Sequence, residues 1–406
     1  MSAFGSVASA STVVTNHSQL QNAINNAPAD GTLHHITITD SFILEGTISI
    51  ADGRNILLSS QSGRHTLYAP QEGRHFRVLG ENTHLTLENI TLDGGNRGDD
   101  FRGGIIVEQG GKLTLGSGSL VQNNHSNAYG GGVEVLRFSH LTIAGGVVRD
   151  NTTSLNGGGI WMTNSGMFYM AAGEISNNHS NAHGGALRLS SRVGDPADSI
   201  GTGSFVITGG SILGNTANRN GGGFSLNHPQ MTVELAGQTL FRGNVSTGDG
   251  GAIHSNAKEY LQLTETTVFY GNSASVSSLP PTNLSLWANI QTTARTTSLG
   301  EQTWLLNNYD INFLFEGFVL RFYLQGGHVN GVSTVQTYHF DIGTRPNMSP
   351  PTPERQGYVF LGWGSSPDGV VIDPLDLSSI EVDSSFYARW QEVQGRIQGV
   401  KFALDN

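Results

Sequence analysis

A short pattern of two small residues followed by an apolar residue occurs six times in this chain. Glycine dominates the first two positions, and the closing apolar residue recurs after 28, 27, 27, 37 and 29 residues. A period of this length is typical of repeat architectures, in which each unit buries its core only against its neighbours. The six copies are Gly103-Gly104-Ile105, Gly131-Gly132-Val133, Gly158-Gly159-Ile160, Gly185-Ala186-Leu187, Gly222-Gly223-Phe224 and Gly251-Ala252-Ile253.

An asparagine recurs in phase with the glycine pairs. Short alternating apolar runs precede each one, which indicates three strands of three to five residues in every unit. Three strands and three turns in about 27 residues predict one coil of a parallel β-helix, with coils stacked about 4.8 Å apart. Stacking would align the asparagines into a hydrogen-bonded ladder with a structural role. The ladder residues are Asn124, Asn151, Asn178, Asn215, Asn244 and Asn272.

The region before the repeats is predicted to form less regular coils behind a capping helix. A helix near the N-terminus would cover the first coil, whose open edge would otherwise invite aggregation. Asn16 or Ser18 would cap its start, and Pro28 would stop it. Its apolar face at helical spacing consists of Leu20, Ala23, Ile24 and Ala27. The irregular coils are predicted at residues 36–38, 48–50, 56–58, 76–78 and 85–87.

Two paired motifs carry a family resemblance. Gly-Gly-Ala followed by Leu or Ile occurs at residues 184–187 and 250–253, and Phe-x-x-Asn occurs at residues 241–244 and 269–272. This combination resembles the repeats of chlamydial polymorphic membrane proteins, over roughly residues 100–275. The resemblance implies a right-handed, pectate-lyase-like parallel β-helix on a surface protein, often an adhesin.

A second resemblance lies in the C-terminal part. After Pro280-Pro281 the repeat fades, and residues 353–363 read Pro-x-Arg-x-Gly-Tyr-x-Phe-x-Gly-Trp, with Phe-Tyr-Ala-Arg-Trp at residues 386–390. This pattern resembles the Listeria–Bacteroides repeat, the B-repeat type module of internalin-like proteins. It implies a small β-grasp-like module on secreted or wall-attached bacterial proteins. We expect an aromatic core rather than a sugar-stacking cluster, formed by Tyr358, Phe360, Trp363, Phe386, Tyr387 and Trp390.

The chain is therefore predicted to be all-β, a parallel β-helix followed by a small module. The expected segments are an N-terminal segment with the capping helix (1–30), the parallel β-helix (31–300), a linker (301–316), the β-grasp-like module (317–392) and a tail (393–406).

Composition narrows the environment and the partners. The net charge is −11 and there is no basic stripe, so nucleic acid is not expected as a partner. There are no cysteines, which excludes disulfides, and there is no apolar run long enough for a membrane helix. Residues 8–10 resemble a small-residue cleavage site. We expect an extracellular protein, secreted or attached to a cell surface, whose signal and anchor are not visible.

The positions after the closing apolar residues are predicted to face outward, since neighbours in a strand point to opposite sides. That stripe holds a single carboxylate, whereas glycoside hydrolysis needs two carboxyl groups in proximity. A familiar glycosidase site is therefore not expected there. The stripe consists of Ile106, Glu134, Trp161, Arg188, Ser225 and His254.

One candidate binding cluster remains on this stripe. Glu134, Trp161 and Arg188 would lie on successive coils, within about 10 Å. An insertion near residues 190–202 adds Asp195 and Asp198. Such a set would hold a sugar, an acidic glycan or a Ca²⁺ ion, although the simpler interpretation is a mixed polar face in solvent.

No cofactor motif or zinc motif is present, and no catalytic or metal-binding residue is assigned. His125 and His179 would lie two coils apart, about 9–10 Å, which is too far to share one metal directly. They are interpreted as turn residues.

The leading functional hypothesis is a noncatalytic, adhesin-type bacterial surface protein whose β-helix is a rigid stalk or binding face. Its partner would be a host or cell-surface glycan or protein. One alternative is a β-helix enzyme or binding protein for polysaccharides. A second is a self-associating subunit of an extracellular filament, since stacked coils with open ends can join head to tail.

Overall fold

The computed structural model divides into two compact units, residues 1–314 and residues 315–406. The first is a parallel β-solenoid with one short helix, and the second is a mixed β-sheet. The prediction of a β-rich chain built on parallel coils is confirmed. The described residues are 11–95, 104–191, 203–227, 231–257, 260–264, 266–275, 308–311, 317–341, 345–380, 382 and 384–393.

The six strands that follow the glycine pairs, together with two strands of the earlier coils, form an eight-stranded parallel sheet, called here the glycine-side sheet. Equivalent residues of successive coils pair directly, so Val133 pairs with Ile160, and Ile160 pairs with Leu187. These apolar residues point inward and are buried. Numbered in chain order, the strands are β4 (Ile48–Ile50), β7 (Phe76–Leu79), β10 (Ile105–Glu108), β14 (Val133–Val135), β17 (Ile160–Met162), β20 (Leu187–Leu189), β23 (Phe224–Leu226) and β26 (Ile253–Ser255).

A fifteen-stranded parallel sheet forms most of the remaining wall of the coils. All five irregular coil segments predicted near the N-terminus contain strands, three of them in this sheet. Its strands are β1 (Thr12–Val14), β2 (Leu33–Ile38), β3 (Phe42–Ile43), β5 (Asn55–Ser60), β6 (His65–Tyr68), β8 (His84–Glu88), β9 (Ile90–Asp93), β11 (Lys112–Leu115), β12 (Leu120–Gln122), β15 (His140–Arg149), β18 (Met167–Ser176), β21 (Ser204–Leu213), β24 (Val233–Arg242), β27 (Leu261–Leu263) and β28 (Val268–Tyr270).

The prediction of three short separate strands per coil is wrong for the middle coils. In β15, β18, β21 and β24 the second and third strands are fused into one bent strand of ten residues. The pairing register of β15 shifts around Ala144, and Gly145 follows with a φ of +110°. Such a bulge bends a strand without ending its pairing, so the corner needs no separate turn.

The ladder asparagines are followed by two-residue strands, which stack into a third parallel sheet of five strands. His125 and His179 lie in this sheet, two coils apart, with Thr152 between them. Each histidine Nδ1 is within hydrogen-bond distance of a threonine hydroxyl on the next coil, at 2.8 and 2.7 Å. The strands are β13 (His125–Ser126), β16 (Thr152–Thr153), β19 (His179–Ser180), β22 (Thr216–Ala217) and β25 (Val245–Ser246).

The predicted asparagine ladder is present and is buried along its whole length. From each asparagine except the last, the side-chain Nδ2 and the backbone nitrogen both donate to the side-chain oxygen of the next ladder asparagine, at 2.9–3.1 Å. From Asn151 onward, Nδ2 also donates to a backbone carbonyl of the preceding coil. The ladder thus joins successive coils through groups that have no water to bond with.

Two different constraints explain Gly131, the first glycine of its pair, and Gly130, the glycine directly before the pair. Gly130 has a φ of +60°, a left-handed conformation that disfavours side chains. Gly131 has an ordinary φ, but a Cβ there would overlap the backbone oxygens of Gly158 and Thr152. Successive coils therefore approach too closely for any side chain at the first position of the pair.

The solenoid interior is a continuous apolar column that becomes aromatic toward its C-terminal end. Phe168 packs against Phe205 with ring centroids 4.7 Å apart, and Phe241 stacks on Phe269 at 5.0 Å. Stacked rings of this kind stabilise a core beyond their buried area.

The predicted capping helix is confirmed as α1 (His17–Asn25). Asn16 is its N-cap, and the Asn16 side chain accepts a hydrogen bond from the backbone nitrogen of Gln19 at 3.0 Å. Leu20, Ala23 and Ile24 are buried, and α1 contacts β1 and β4. Among the described residues, no helix is long and apolar enough to span a lipid bilayer.

Residues 308–311 add a strand-like segment to the last coil. The backbone nitrogens of Gly251, Ala252 and Ile253 donate to the carbonyls of this segment. Asp310 is buried, and its side chain accepts from Nδ2 of Asn272 at 3.0 Å. A carboxylate therefore continues the asparagine ladder. The predicted linker range, 301–316, includes this segment.

The second unit is a five-stranded mixed sheet in the order β30-β29-β33-β31-β32. The central pair, β29 and β33, is parallel, and the other pairs are antiparallel. One face carries a buried apolar cluster that includes Leu320, Phe322, Trp363 and Phe386. The strands are β29 (Gly317–Tyr323), β30 (Gln336–Asp341), β31 (Tyr358–Gly364), β32 (Val371–Ile372) and β33 (Ser384–Glu392).

The predicted aromatic core of this unit is only partly correct. Trp363 and Phe386 are buried, and Phe360 and Trp390 pack against them. Tyr387 follows Phe386 in the strand, so it points to the opposite face, where it stacks on Tyr323 at 4.7 Å. Tyr358 lies outside the buried cluster, and the Arg355 guanidinium covers its ring at 3.8 Å.

Candidate functional site

The structure brings Glu134, Trp161 and Arg188 together on the glycine-side sheet. Glu134 pairs with Trp161, and Trp161 pairs with Arg188, in three adjacent parallel strands. Ser225 and His254 continue the same row on the next two coils. Asp195 and Asp198 lie outside the described residues.

The expectation that this row faces solvent is wrong for half of its six members. Glu134, Trp161 and Ser225 are only 9, 2 and 0 % exposed. The row points away from the solenoid interior, but turn residues cover it. The Tyr129 ring stacks on Trp161 with a centroid distance of 4.6 Å, and Nε1 of Trp161 donates to the hydroxyl of Ser190 at 3.2 Å.

Glu134, the single carboxylate of the row, forms a buried ion pair with Arg74. Arg74 precedes β7, two coils before Glu134, and its side chain extends along the sheet. A buried carboxylate is tolerated when a cation compensates its charge, and loss of either partner leaves the other uncompensated. The carboxylate of Glu134 is therefore part of the wall of the solenoid.

Arg188 is in a different situation from Glu134. A terminal nitrogen of its guanidinium donates to the hydroxyl of Ser225 at 2.5 Å, but its Nε atom is buried without a hydrogen-bond partner among the described residues. Burial, which disfavours the charged form, lowers the pKa of Arg188 to about 10. The group still carries a full positive charge at neutral pH.

His183 lies in the turn before β20, next to this guanidinium. Its Nδ1 accepts a hydrogen bond from the backbone nitrogen of Asn220 at 3.3 Å. Burial, together with the positive charges of Arg188 and Arg219, lowers the pKa of His183 to about 4. The ring is therefore neutral at physiological pH, with its proton on Nε2.

Sequence reasoning missed a second polar ladder, to which His183 belongs. It occupies the position directly before the first glycine of each turn. The backbone nitrogens of His183, Asn220 and Asp249 donate to the side chains of Asn156, His183 and Asn220, at 3.1, 3.3 and 3.2 Å. The recurrence of polar residues at one fixed offset from the glycines was a signal for it, but their varied types concealed the pattern.

No metal centre is apparent in the described part of the chain. No group of three or more His, Cys, Asp or Glu residues is arranged there to hold a metal ion. His125 and His179 lie in the two-residue strands β13 and β19 rather than in turns, and each ring bonds to a threonine hydroxyl on a neighbouring coil.

Comparison with known proteins gives one local similarity. The family model of the Chlamydia polymorphic membrane protein (Chlamydia_PMP) repeat matches residues 238–256. These residues include the end of β24, β25 and the glycine turn that leads into β26. Comparison with curated proteins and comparison with solved structures gave no match.

Proposed function

We propose that this chain is a noncatalytic bacterial surface protein whose solenoid is a rigid scaffold for a binding face. The observation that carries the proposal is the buried ion pair between Glu134 and Arg74. Glu134 is the row's single carboxylate, and this ion pair gives it a structural role. The row therefore lacks the pair of carboxyl groups that glycoside hydrolysis requires. Rigidity is supported by the asparagine ladder, which links six successive coils.

The surface location is supported by the match to the chlamydial repeat. The proteins that give this family its name are membrane proteins of Chlamydia. For the present chain we infer an extracellular, surface-attached or secreted location, an adhesin-type role and a right-handed, pectate-lyase-like coil. Protease treatment of intact producing cells tests the location: a surface protein is cleaved while cytoplasmic markers survive.

We infer that the second unit is a Listeria–Bacteroides-type, β-grasp-like module that acts as a spacer or attachment unit. A small mixed sheet of five strands with a parallel central pair is in keeping with this inference. The buried Trp363 and Phe386, which belong to that pattern, form its core.

Polysaccharide binding is the alternative that a specific observation favours, namely the incompletely bonded guanidinium of Arg188. Cleavage is disfavoured because the carboxylate of Glu134 is held in a buried ion pair with Arg74. A panel of neutral and acidic polysaccharides separates the possibilities. Binding without new reducing ends or unsaturated products supports a scaffold, and any turnover overturns the noncatalytic proposal.

Self-association into filaments is less well supported. The helix α1 packs its apolar face on the first coil, so head-to-tail stacking would have to displace it. We expect single particles rather than filaments in electron micrographs of the purified chain.

A further inference from the structure

The guanidinium of Arg188 has fewer bonds than its burial requires. Ser225 supplies one hydroxyl acceptor, and Nε has none among the described residues. No ion pair joins Arg188 to a described carboxylate, and burial is the sole cause of its lowered pKa. The pair of Glu134, two coils away, and Arg74 shows how this sheet compensates a buried charge when both partners are present.

An uncompensated buried charge costs free energy, because the lost hydration is not replaced. A neutral side chain at position 188 would avoid that cost. Arg188 as a whole is only half-buried, so an external group can approach its side chain. A planar guanidinium with open donors is the geometry that binds carboxylate and sulfate groups.

The neighbourhood of Arg188 adds positive potential. Arg219 and His183 lie in adjacent turns, because the backbone nitrogen of Arg219 donates to the carbonyl of Ala182 at 2.8 Å and that of Asn220 donates to Nδ1 of His183 at 3.3 Å. Both arginines also lower the pKa of His183. Arg219 is exposed, and its side chain has no ion-pair partner among the described residues. The Nε2 proton of neutral His183 is a further donor. Acidic groups are not among the causes of the shift at either His183 or Arg188.

We propose that Arg188, Arg219 and His183 form a binding site for a carboxylate or sulfate group carried by an acidic glycan. This site, called the Arg188 site, excludes Glu134, which bonds elsewhere. Its identification as a glycan site rests on the proposed surface function, whereas its affinity for anions rests on the geometry alone.

A glycan fits this surface better than an acidic peptide. Exposed amides and hydroxyls, including Asn181, Asn218 and Thr247, lie in the turns that carry His183 and Arg219 and on the next coil, and such groups suit sugar hydroxyls. A peptide that binds by strand addition needs a free sheet edge. The strands beside Arg188, β17 and β23, are paired on both sides.

Calorimetry with the full chain tests the Arg188 site. The probes are a uronic-acid oligosaccharide, a sulfated oligosaccharide, a neutral oligosaccharide of equal length, a poly-glutamate peptide and inorganic sulfate. The variants are Arg188→Gln and Arg219→Gln. The matched control is Arg149→Gln, which removes an exposed arginine that bonds to Gln122 on the fifteen-stranded sheet.

We expect at least one acidic oligosaccharide to bind the parent chain and the Arg149→Gln variant equally. The affinity should fall at least about tenfold in Arg188→Gln and by less in Arg219→Gln, as expected for loss of charge-assisted hydrogen bonds. Preference between the uronic-acid and sulfated probes identifies the anionic group. The unliganded Arg188→Gln variant should melt at the same temperature as the parent or higher, because a buried charge is removed.

Three results would overturn the inference: equal binding of neutral and acidic probes, unchanged acidic-probe affinity in both Arg188→Gln and Arg219→Gln, or binding of the peptide in preference to the glycans. If Arg188→Gln does not fold, the exposed Arg219→Gln variant decides alone. Turnover of a bound glycan would overturn the noncatalytic proposal but leave the anion site standing, so the two failures are distinguishable.

Discussion

The side-chain oxygen of Asn178 accepts two hydrogen bonds from Asn151, one from Nδ2 and one from the backbone nitrogen, both at 3.0 Å. Nδ2 of Asn178 donates in turn to the carbonyl of Val148 and to the side-chain oxygen of Asn215, each at 3.0 Å. A single side chain thus bonds to coils on both sides of its own. Coupling between neighbouring coils is what gives a solenoid its cooperativity.

The substitution Asn178→Ala should therefore be strongly destabilising. It leaves buried donors of Asn151 and the carbonyl of Val148 without partners, and each such group costs about 1–3 kcal/mol. We expect a loss of about 2–4 kcal/mol in the free energy of unfolding, measured in urea. Asn181→Ala, at an exposed position of the next turn, is the control and should change it by no more than about 0.5 kcal/mol. Equal losses would contradict the ladder's role.

Adjacent glycines should respond differently to alanine. A Cβ at Gly131 overlaps backbone atoms of the next coil, whereas a Cβ at Gly132 comes no closer than 2.9 Å. Alanine already occupies the position equivalent to Gly132 in two copies, at Ala186 and Ala252. We expect Gly131→Ala to lower the urea midpoint substantially and Gly132→Ala to lower it much less. A reversed order would show that the coils do not approach as described.

The Arg74–Glu134 pair should behave as a structural unit. Glu134→Gln or Arg74→Met alone leaves one buried charge uncompensated, and such losses are about 3–5 kcal/mol. The double variant removes both charges and should recover a large part of that loss. Chemical unfolding of the four proteins in a double-mutant cycle measures the coupling. If the losses of the two single variants simply add in the double variant, the two side chains do not stabilise each other, and the structural role of Glu134 would be contradicted.

Much of this architecture could be predicted from the sequence because stacked coils repeat their chemistry. The ladder from Asn124 to Asn272 follows from period alone, since identical residues at identical coil positions stack on each other. The capping helix follows from helical spacing and the N-cap Asn16. Fusion of two strands in β15 depends on the φ of Gly145, a local conformation that residue type does not fix.

The site was harder to predict from the sequence. The alternation of side chains along a strand predicts which way each side chain points, but not whether other residues cover it. Trp161 points away from the interior as expected, yet Tyr129 covers it. The partner of Glu134 is Arg74, which lies in an irregular early coil, outside the regular period. A contact between a regular coil and an irregular coil does not recur along the sequence, so periodicity does not predict it. The unusual state of Arg188 likewise follows from burial, which the sequence does not show.

Stability should fall on mild acidification because of His75. Burial lowers the pKa of this histidine from 6.5 to about 4, and its Nε2 bonds to the carbonyl of Leu67 at 3.1 Å. The unfolded chain takes up a proton below about pH 6.5 while the folded chain does not. The contribution of neutral His75 is thus complete above that pH and is lost progressively toward pH 4.

Urea unfolding at pH 7 and pH 5 measures this effect. We expect His75 to account for about 2 kcal/mol of the loss between these two values. The His75→Gln variant keeps a donor for Leu67 but does not titrate, so its loss should be smaller by that amount. The same pH dependence in both proteins would contradict the assignment.

The central claim, that the glycine-side sheet binds without catalysing, is tested most directly by the fate of a bound polysaccharide. The full chain is incubated for a long period with the acidic oligosaccharide that it binds best, and the recovered ligand is analysed by mass spectrometry. The account predicts ligand of unchanged mass and length. Shortened or unsaturated products, formed by the parent chain and absent with Arg188→Gln, would contradict it.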